Sequence, residues 1–323
     1  MRRRTVLAGI ALSLAAGSRA AFAQAPAKLP LVGILGVDPG PLLDAFRQGL
    51  QKLGYVEGQT IVLIERSAPG HPERLGALAE EMVSLKPNVI VVPNSADALV
   101  AKQASTAIPI VVATMADPER LKLIESDARP GGNVTGILVN LDGLPGKQLE
   151  VAVEIMSGAT KIGFLFNVAN PGIAFLRPEL EAAANRLKVT LVRADVRSPG
   201  DLDAAFRALA AEHVDIVLVG QDAMLRANVN LIASLAATAL VPFVGGQREY
   251  VEAGGLVSYG ISLRENYQRA AYYVDRILKG AKPSELPAEL PTKVEMVINR
   301  KAAGALGITI PPALLLRADD VIE

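Results

Sequence analysis

The sequence NVIVVPNSAD, residues 88–97, joins an unbroken apolar run to a polar segment of the kind that begins helices. Residues 89–92 are apolar at every position, which is typical of a strand covered by helices on both faces. Asn94 and Ser95 are residue types that cap helices, and a helical pattern follows over 96–106. A buried strand leading directly into a helix is the repeating unit of a parallel α/β sheet.

The same unit recurs on both sides of this segment. Before and after it, helical spacing of apolar residues, such as Leu43, Phe46 and Leu50, alternates with short β-branched runs. The runs predict a first block of strands and then a second, with one late strand after a long helix over 267–280. The predicted strands are 31–35, 61–66, 89–92, 109–113 and 133–137, then 161–166, 190–194, 215–219, 241–244, 256–259 and 294–298.

Two successive blocks of alternating strand and helix predict an α/β protein with two doubly wound parallel sheets. About 300 residues remain after the N-terminal segment, and chains of that length generally form two domains. Residues 141–158 lie between the blocks and are expected to contain the first crossover. The apolar tail over 310–316 is expected to pack on the second lobe.

The N-terminal segment predicts export. Three arginines follow Met1, an apolar stretch covers 6–17, and Ala21-Phe22-Ala23 offers small residues for a signal peptidase. We therefore expect a signal peptide over 1–23, cleavage before Gln24 and a periplasmic protein. The Arg3-Arg4 pair leaves both the general secretory and the twin-arginine routes open.

Composition excludes several classes of function. Lys and Arg total 33, as do Asp and Glu, so no basic excess exists to neutralise nucleic acid phosphates. There is no Cys and there are two His, which leaves little material for a metal site or a catalytic triad. No dinucleotide-binding, Walker or nucleophile-elbow motif occurs. We expect no cofactor, no metal and no catalytic residues.

The strand-to-helix loops predict the ligand site, because open parallel sheets bind ligands outside the carboxyl ends of their strands. In the first lobe these loops contribute Gly36, Val37, Asn94, Ser95, Ala96, Thr114, Met115 and Asp117. In the second lobe they contribute Asn167, Asn170, Gln221, Asp222 and Gln247, with Tyr259 at an expected crossover.

These residue types can hold a small charged molecule. Helix-start N–H groups at Ser95, with the Thr114 hydroxyl beside them, suit a carboxylate. Asp117 and Asp222 suit an ammonium group, while the two glutamines can donate and accept. The alternative for Ser95 and Asn170 is helix capping alone. If the residues bind ligand, Ser95→Ala and Asp222→Ala weaken binding and leave the melting temperature of the empty protein nearly unchanged.

Several segments together resemble a known family. They are FRQGL (46–50), LGYVEGQ (53–59), ARPGGNVTG (128–136), EYVEAGGL (249–256) with Tyr259-Gly260, AAYYVDRILKGAKP (270–283) and ALGITIP (305–311). They are similar to ABC transporter substrate-binding proteins, the family that includes tryptophan- and tyrosine-binding members. The resemblance covers essentially the whole chain after the N-terminal segment.

The resemblance implies a type I periplasmic binding protein, in which two lobes joined by three crossovers close on a ligand by a hinge. It implies that the long late helix returns to lobe one and that the chain ends on lobe two. We accordingly expect lobe one over 29–142 and 263–290, and lobe two over 143–262 and 291–323. The ligand is not implied, since the loops offer few flat apolar groups beyond Met115, Phe243 and Tyr259.

The predicted function is therefore the solute-binding component of an ABC importer. It would capture an amino acid or small organic acid, act as a monomer and deliver its ligand to a permease in the cytoplasmic membrane. Two alternatives remain at this stage: an exported ligand sensor for a signalling receptor, and an exported α/β enzyme acting in the same cleft.

Overall fold

The computed structural model describes residues 29–323 apart from 38, 39, 41, 70, 140, 142, 171 and 172. The signal peptide predicted over 1–23 lies outside the described residues. Within the described part of the chain, every helix is too short or too polar to cross a membrane.

The first sheet is purely parallel and follows the predicted strands closely. Its order is β2-β1-β3-β4-β5, so the strand order reverses at β1. Apolar clusters lie on both of its faces, one under the first helix and one under the next two. The elements are β1 (Leu31–Gly36), α1 (Leu42–Lys52), β2 (Val62–Ser67), a 3₁₀ turn (Pro72–Arg74), α2 (Leu75–Ser84), β3 (Val89–Asn94), α3 (Ser95–Ala104), β4 (Ile110–Met115) and β5 (Val134–Leu138).

The second sheet begins after a helix that occupies most of the predicted crossover region. Strands six to ten of the chain are parallel where they pair and are again covered by helices on both faces. The elements are α4 (Leu144–Ile155), β6 (Lys161–Asn167), α5 (Ile173–Leu187), β7 (Thr190–Val196), a 3₁₀ turn (Pro199–Asp201), α6 (Leu202–Ala211), β8 (Ile216–Val219), α7 (Ala223–Ala227), α8 (Val229–Ala239), β9 (Phe243–Gly245), α9 (Arg248–Glu252) and β10 (Val257–Ile261).

The remaining chain crosses to the first sheet and returns. The elements are α10 (Leu263–Leu278), a 3₁₀ turn (Pro283–Glu285), β11 (Val294–Asn299), α11 (Arg300–Ala305), α12 (Pro312–Arg317) and β12 (Asp320–Ile322). The second sheet has the order β12-β11-β10-β9-β8-β6-β7. The prediction of two α/β sheets is confirmed.

The second sheet is not parallel throughout, because β11 pairs antiparallel with β10. A helix that packs on its own sheet carries the chain back to the edge where the previous strand began, so the next strand runs parallel. The chain enters β11 from the other lobe instead, so this constraint is absent. The short strand β12, which the sequence analysis missed, pairs parallel with β11.

The long helix α10 packs on the first sheet although it directly follows a strand of the second. Tyr267, Ala271 and Val274 share one apolar cluster with Phe46 and Leu50 of α1. The two helices approach closely at Gly49, where an added Cβ would lie 2.8 Å from the Ala271 Cβ. The chain therefore passes between the sheets three times: after β5, after β10 and before β11.

One further detail differs from the prediction made from the sequence, and another agrees with it. The helix expected from Ala223 to Ala239 is two helices, broken at Asn228, whose side-chain amide donates to the Met224 carbonyl at 2.8 Å. The apolar tail packs on the second sheet as expected, with Leu314 completely buried in its core cluster.

A candidate solute cleft between the sheets

A cleft of about 370 Å³ lies where the strand ends of the two sheets face each other. Its walls contain most of the residues predicted from the strand-end rule: Asn94, Ser95, Ala96, Thr114 and Asp117 on one side, and Asn170, Gln221, Asp222 and Gln247 on the other. Its remaining lining residues are Leu42, Pro93, Ala116, Val139, Leu176, Ala223, Arg226, Ile261, Leu263 and Tyr267.

A larger depression of about 550 Å³ lies on the helical side of the first sheet, between α1, α10 and residues 289–293. It lies away from the strand ends. Its arginine, Arg269, makes two hydrogen bonds to Glu289 and stacks on the Tyr272 ring at 3.9 Å. One of its lining residues, Asn266, has a buried amide nitrogen without a partner. The cleft between the sheets is lined by two residues of this kind and lies at the strand ends of both sheets, so it is the better candidate site.

On the first wall, Asn94 begins α3 and caps it. Its side-chain oxygen accepts the Asp97 N–H at 3.0 Å. The Ser95 hydroxyl donates to the Ala116 carbonyl at 2.8 Å and accepts the Ala116 N–H at 2.9 Å. Ser95 therefore ties the loop after β3 to the loop after β4, and its only side-chain proton is already used.

The Thr114 hydroxyl is engaged in the same way. It donates to the Pro93 carbonyl at 2.7 Å. Pro93 precedes Asn94, the residue of β3 that pairs with Thr114 of β4. Neither hydroxyl retains a free proton for the carboxylate contact that the sequence predicted.

Asp97 lies behind this wall and is only 3% exposed. Burial raises the pKa of its carboxyl to about 6, against hydrogen bonds from the Val37 N–H and the Asn94 amide that lower it. An added Cβ on Gly36 would lie 3.0 Å from the same carboxylate and 2.6 Å from Pro93. Gly36 makes room for this packing.

On the opposite wall, Asp222 is the N-cap of α7. It accepts the Met224 and Leu225 N–H groups at 2.8 and 3.1 Å. It also accepts the amides of Asn167, at 3.3 Å to each oxygen, and Asn170, at 3.0 Å. A carboxylate offers about four acceptor sites, so these bonds fill it.

Asp117, the second carboxylate among the described lining residues, pairs with Arg120 at 2.9 Å. Its backbone has φ of 45°, in the left-handed region that few residues other than Gly, Asn and Asp adopt. The turn after β4 thus places its carboxylate beside an arginine of the same loop.

Two glutamines on the second wall carry buried polar atoms without partners. They are Nε2 of Gln221 and Oε1 of Gln247, and both residues line the cleft. The Tyr250 hydroxyl, fully buried behind that wall, also lacks a partner. Burial raises the pKa of Tyr250 well above its usual range, and nearby Arg226 opposes the shift.

Five predicted site residues do not reach the cleft. Gly36 is the last residue of β1 and packs against Pro93, and Val37 packs against the core of the first sheet. Met115 is fully buried in that core, because it faces away from Thr114 along the strand. Asn167 supports Asp222 from behind. Tyr259 packs among apolar residues of the second sheet and the crossovers, and its carbonyl accepts the Gln148 amide at 2.8 Å.

Arg226 and the apolar floor of the cleft were not among the residues predicted from the sequence. Arg226 lies four residues after Asp222, one helical turn along α7, and that spacing was available in the sequence. The floor residues Val139, Ile261 and Leu263 lie at the crossovers and join a small apolar cluster there. Nothing in their residue types separates them from ordinary core positions.

Comparison with known proteins agrees with this architecture. Residues 40–322 match the family of ABC transporter substrate binding proteins. A "Tyrosine-binding protein" of Clostridioides difficile strain R20291 is 24% identical over 281 residues, covering 85% of this chain and 80% of the relative.

Two solved structures share the fold over 91% of this chain and the full length of the other. A conserved domain protein of Vibrio cholerae O1 biovar El Tor is 30% identical, with a TM-score of 0.81. An ABC domain from Streptococcus pneumonia in complex with L-Trp is 24% identical, with a TM-score of 0.82. With two α/β sheets facing across a cleft and a family match over nearly all of its described residues, the chain belongs to the ABC transporter substrate binding proteins.

Proposed function

We propose that the cleft captures a small polar solute, an amino acid or a small organic acid, for an ABC importer. The observation that carries this proposal is the pair of buried atoms without partners, Gln221 Nε2 and Gln247 Oε1, on one wall of the cleft. Folded proteins pair more than about 90% of their buried polar groups, and an unpaired one costs about 1–3 kcal/mol. A solute with both an acceptor and a donor would satisfy both atoms.

The site consists of residues from both walls. From the predicted set we retain Asn94, Ser95, Ala96, Thr114, Asp117, Asn170, Gln221, Asp222 and Gln247 as ligand-facing positions. Because each wall belongs to a different sheet, a solute between them gains contacts with the second wall only when the sheets approach. That difference in contacts is what favours a closed state.

The proposed function requires two lobes that can move relative to each other. We assign residues 29–142 and 263–290 to lobe one, and 143–262 and 291–323 to lobe two. The packing of α10 on α1 supports this division, as does the hydrogen bond from the Thr135 hydroxyl to the Leu286 carbonyl at 2.8 Å. The three crossovers then form the hinge, and their apolar cluster forms the floor of the cleft.

The cellular setting follows from the sequence and the family. The protein would be exported by its N-terminal segment, act in the periplasm as a monomer and pass its solute to a membrane permease without chemical change. Mass measurement of the protein recovered from a periplasmic extract checks export: a chain beginning at Gln24 is expected, and a chain retaining residues 1–23 contradicts it.

Native mass spectrometry of freshly purified protein, followed by a thermal-shift screen of amino acids and organic acids, tests solute capture. A retained small molecule, or a clear rise in melting temperature, is expected. Gln221→Ala and Gln247→Ala should each weaken that binding without lowering the stability of the empty protein, because the removed atoms have no partners there. Gln103→Ala, on the exposed side of α3, is the matched control.

Equal binding by the wild type and both glutamine variants would place the solute elsewhere. Absence of any retained molecule and of any thermal shift across the screen would remove the proposal altogether.

A further inference from the structure

The charged groups on the cleft differ in whether they already have hydrogen-bond or ion-pair partners. Both carboxylates among the described lining residues already have partners: Asp222 is filled by two N–H groups and two amides, and Asp117 pairs with Arg120. Arg226 also lines the cleft, yet no residue that the structure describes forms an ion pair with its guanidinium. Among the lining residues that the structure describes, the charge left available to a solute is therefore positive.

Arg226 is placed to be used from the cleft. It lies on α7, one turn after Asp222, and its side chain is half-buried. Asp222 cannot accept it without giving up the cap and amide bonds that fill its oxygens. A planar guanidinium at the wall of a cleft matches the two oxygens of a carboxylate with two parallel hydrogen bonds.

Other unpaired atoms on this wall add a second donor. Gln221 Nε2 is a buried donor without an acceptor. The wall thus offers Arg226 and Gln221 as donors to an anionic group, and Gln247 Oε1 as a single neutral acceptor. An ammonium group prefers several acceptors or a free carboxylate, and this arrangement offers neither.

The rest of the cleft is aliphatic. Leu42, Val139, Leu176, Ile261 and Leu263 form its floor and sides, and the single aromatic residue among the described lining residues, Tyr267, is 5% exposed. Such a surface suits a branched or straight hydrocarbon chain better than a ring that needs a flat stacking partner. A volume of about 370 Å³ lies within the usual range for small-molecule sites.

We infer that the solute is an aliphatic monocarboxylate without an ammonium group, and that Arg226 is the residue that binds its carboxylate. This inference rests on the proposed function and narrows it. Arg226 is then the specificity-determining residue, because an α-amino acid brings a positive charge for which no described residue of the cleft is a free counterion.

Three matched probes separate the two charges of an amino acid. 4-Methylpentanoate is leucine without its ammonium, 3-methylbutylamine is leucine without its carboxylate, and L-leucine carries both. Calorimetry and thermal shift at neutral pH should rank 4-methylpentanoate first, leucine at least about tenfold weaker, and the amine as a non-binder. Other monocarboxylates of about four to eight carbons define the chain length preferred.

Arg226→Gln should weaken binding of the carboxylate by about ten- to a hundredfold, the loss of affinity expected for a charge-assisted hydrogen bond. Arg226→Lys should recover part of that loss. The melting temperature of the empty variant should equal that of the wild type, because the guanidinium has no partner to lose. Arg207→Gln, on the exposed face of α6 beside Asp203, is the control and should bind normally.

Leucine binding as tightly as the carboxylate, or unchanged carboxylate binding by Arg226→Gln, would overturn the inference while leaving solute capture intact. So would failure of every monocarboxylate in the series, or a retained native solute that carries an ammonium. Failure of solute capture itself is a separate result: no retained molecule and no thermal shift with any class of compound.

Discussion

The Ser95 hydroxyl and the Ala116 backbone form a closed pair, in which the hydroxyl donates at 2.8 Å and accepts at 2.9 Å. Two neighbouring loops of the first wall are therefore held together by one side chain. This finding changes what a substitution at Ser95 should do, because the sequence alone indicated a direct ligand contact.

Ser95→Ala should destabilise the empty protein by about 2 kcal/mol. The change removes two hydrogen bonds and leaves the N–H and the carbonyl of Ala116 with no side-chain partner. Thermal and urea unfolding without solute measure the effect. Ser84→Ala, at an exposed position, should change stability by less than about 0.5 kcal/mol. An unaltered Ser95→Ala protein with weakened binding would restore the ligand-contact interpretation.

Asp222→Ala should also lower stability before any solute is added, by about 2–3 kcal/mol. Asp222 caps α7 and accepts the amides of Asn167 and Asn170, so its loss frees donors on two elements. Asp222→Ser retains an acceptor for the helix cap and should recover part of the loss. Equal stability of Asp222→Ala and the wild type in urea unfolding would contradict this role.

Asp97 should make stability fall as the pH rises. Its carboxyl has a pKa of about 6 in the folded protein, whereas an unfolded Asp titrates near 3.8. Between pH 4 and pH 6 the folded state therefore holds the additional proton, and the free energy of unfolding decreases with increasing pH, by up to about 3 kcal/mol.

Asp97→Asn should abolish that part of the pH dependence and be more stable than the wild type at pH 7. Urea unfolding at pH 4 and pH 7 gives the comparison. Asp203→Asn, at an exposed position of α6, should leave the profile unchanged. If stability instead rose between pH 4 and pH 6, and by the same amount in the wild type and in both variants, Asp97 would titrate normally.

Gly260→Ala should disturb both stability and binding. A Cβ at this position of β10 would lie 1.9 Å from the Gly246 carbonyl oxygen, so the loop that carries Gln247 must move. We expect a loss of about 1–3 kcal/mol together with weaker solute binding. Gly304→Ala, where an added Cβ meets nothing within 4 Å, should be neutral or stabilising. Normal solute binding by Gly260→Ala would indicate that Gln247 does not take part in solute recognition.

Solute should make the protein more compact in solution. Because the two walls belong to different lobes, closure on a solute brings them together and lowers the radius of gyration measured by small-angle X-ray scattering. A Gln221→Ala and Gln247→Ala double variant should remain at the value of the empty protein at the same solute concentration. Binding without a change in radius would argue against hinge closure.

The strands were predictable because buried parallel strands are apolar at consecutive positions. Residues 89–92 and 216–219 show this pattern directly, and strand ends then located much of the cleft. The direction of β11 was not predictable, since it depends on a crossover from the other lobe. Ile261 and Leu263 were missed for a related reason: an apolar residue at a crossover has the same residue type as one in a core.

Local chemistry limited the prediction of individual site residues. Ser95, Asp222 and Asn94 are good helix caps and good ligand groups, and a sequence does not say which atoms are already bonded. The structure gives capping or loop-bridging bonds to all three. Arg226 shows the opposite case, in which an ordinary helical arginine gains significance only because no described residue forms an ion pair with it.

The position of α10 in the chain determines when lobe one can be completed during synthesis. The five strands of its sheet are made early, but Tyr267, Ala271 and Val274, which cover one face, are made only after nearly all of lobe two. Until residue 278 leaves the ribosome, that face of the first sheet is covered by α1 without α10. Its core therefore stays incomplete until most of lobe two has been made, and part of its apolar surface is exposed in the nascent chain.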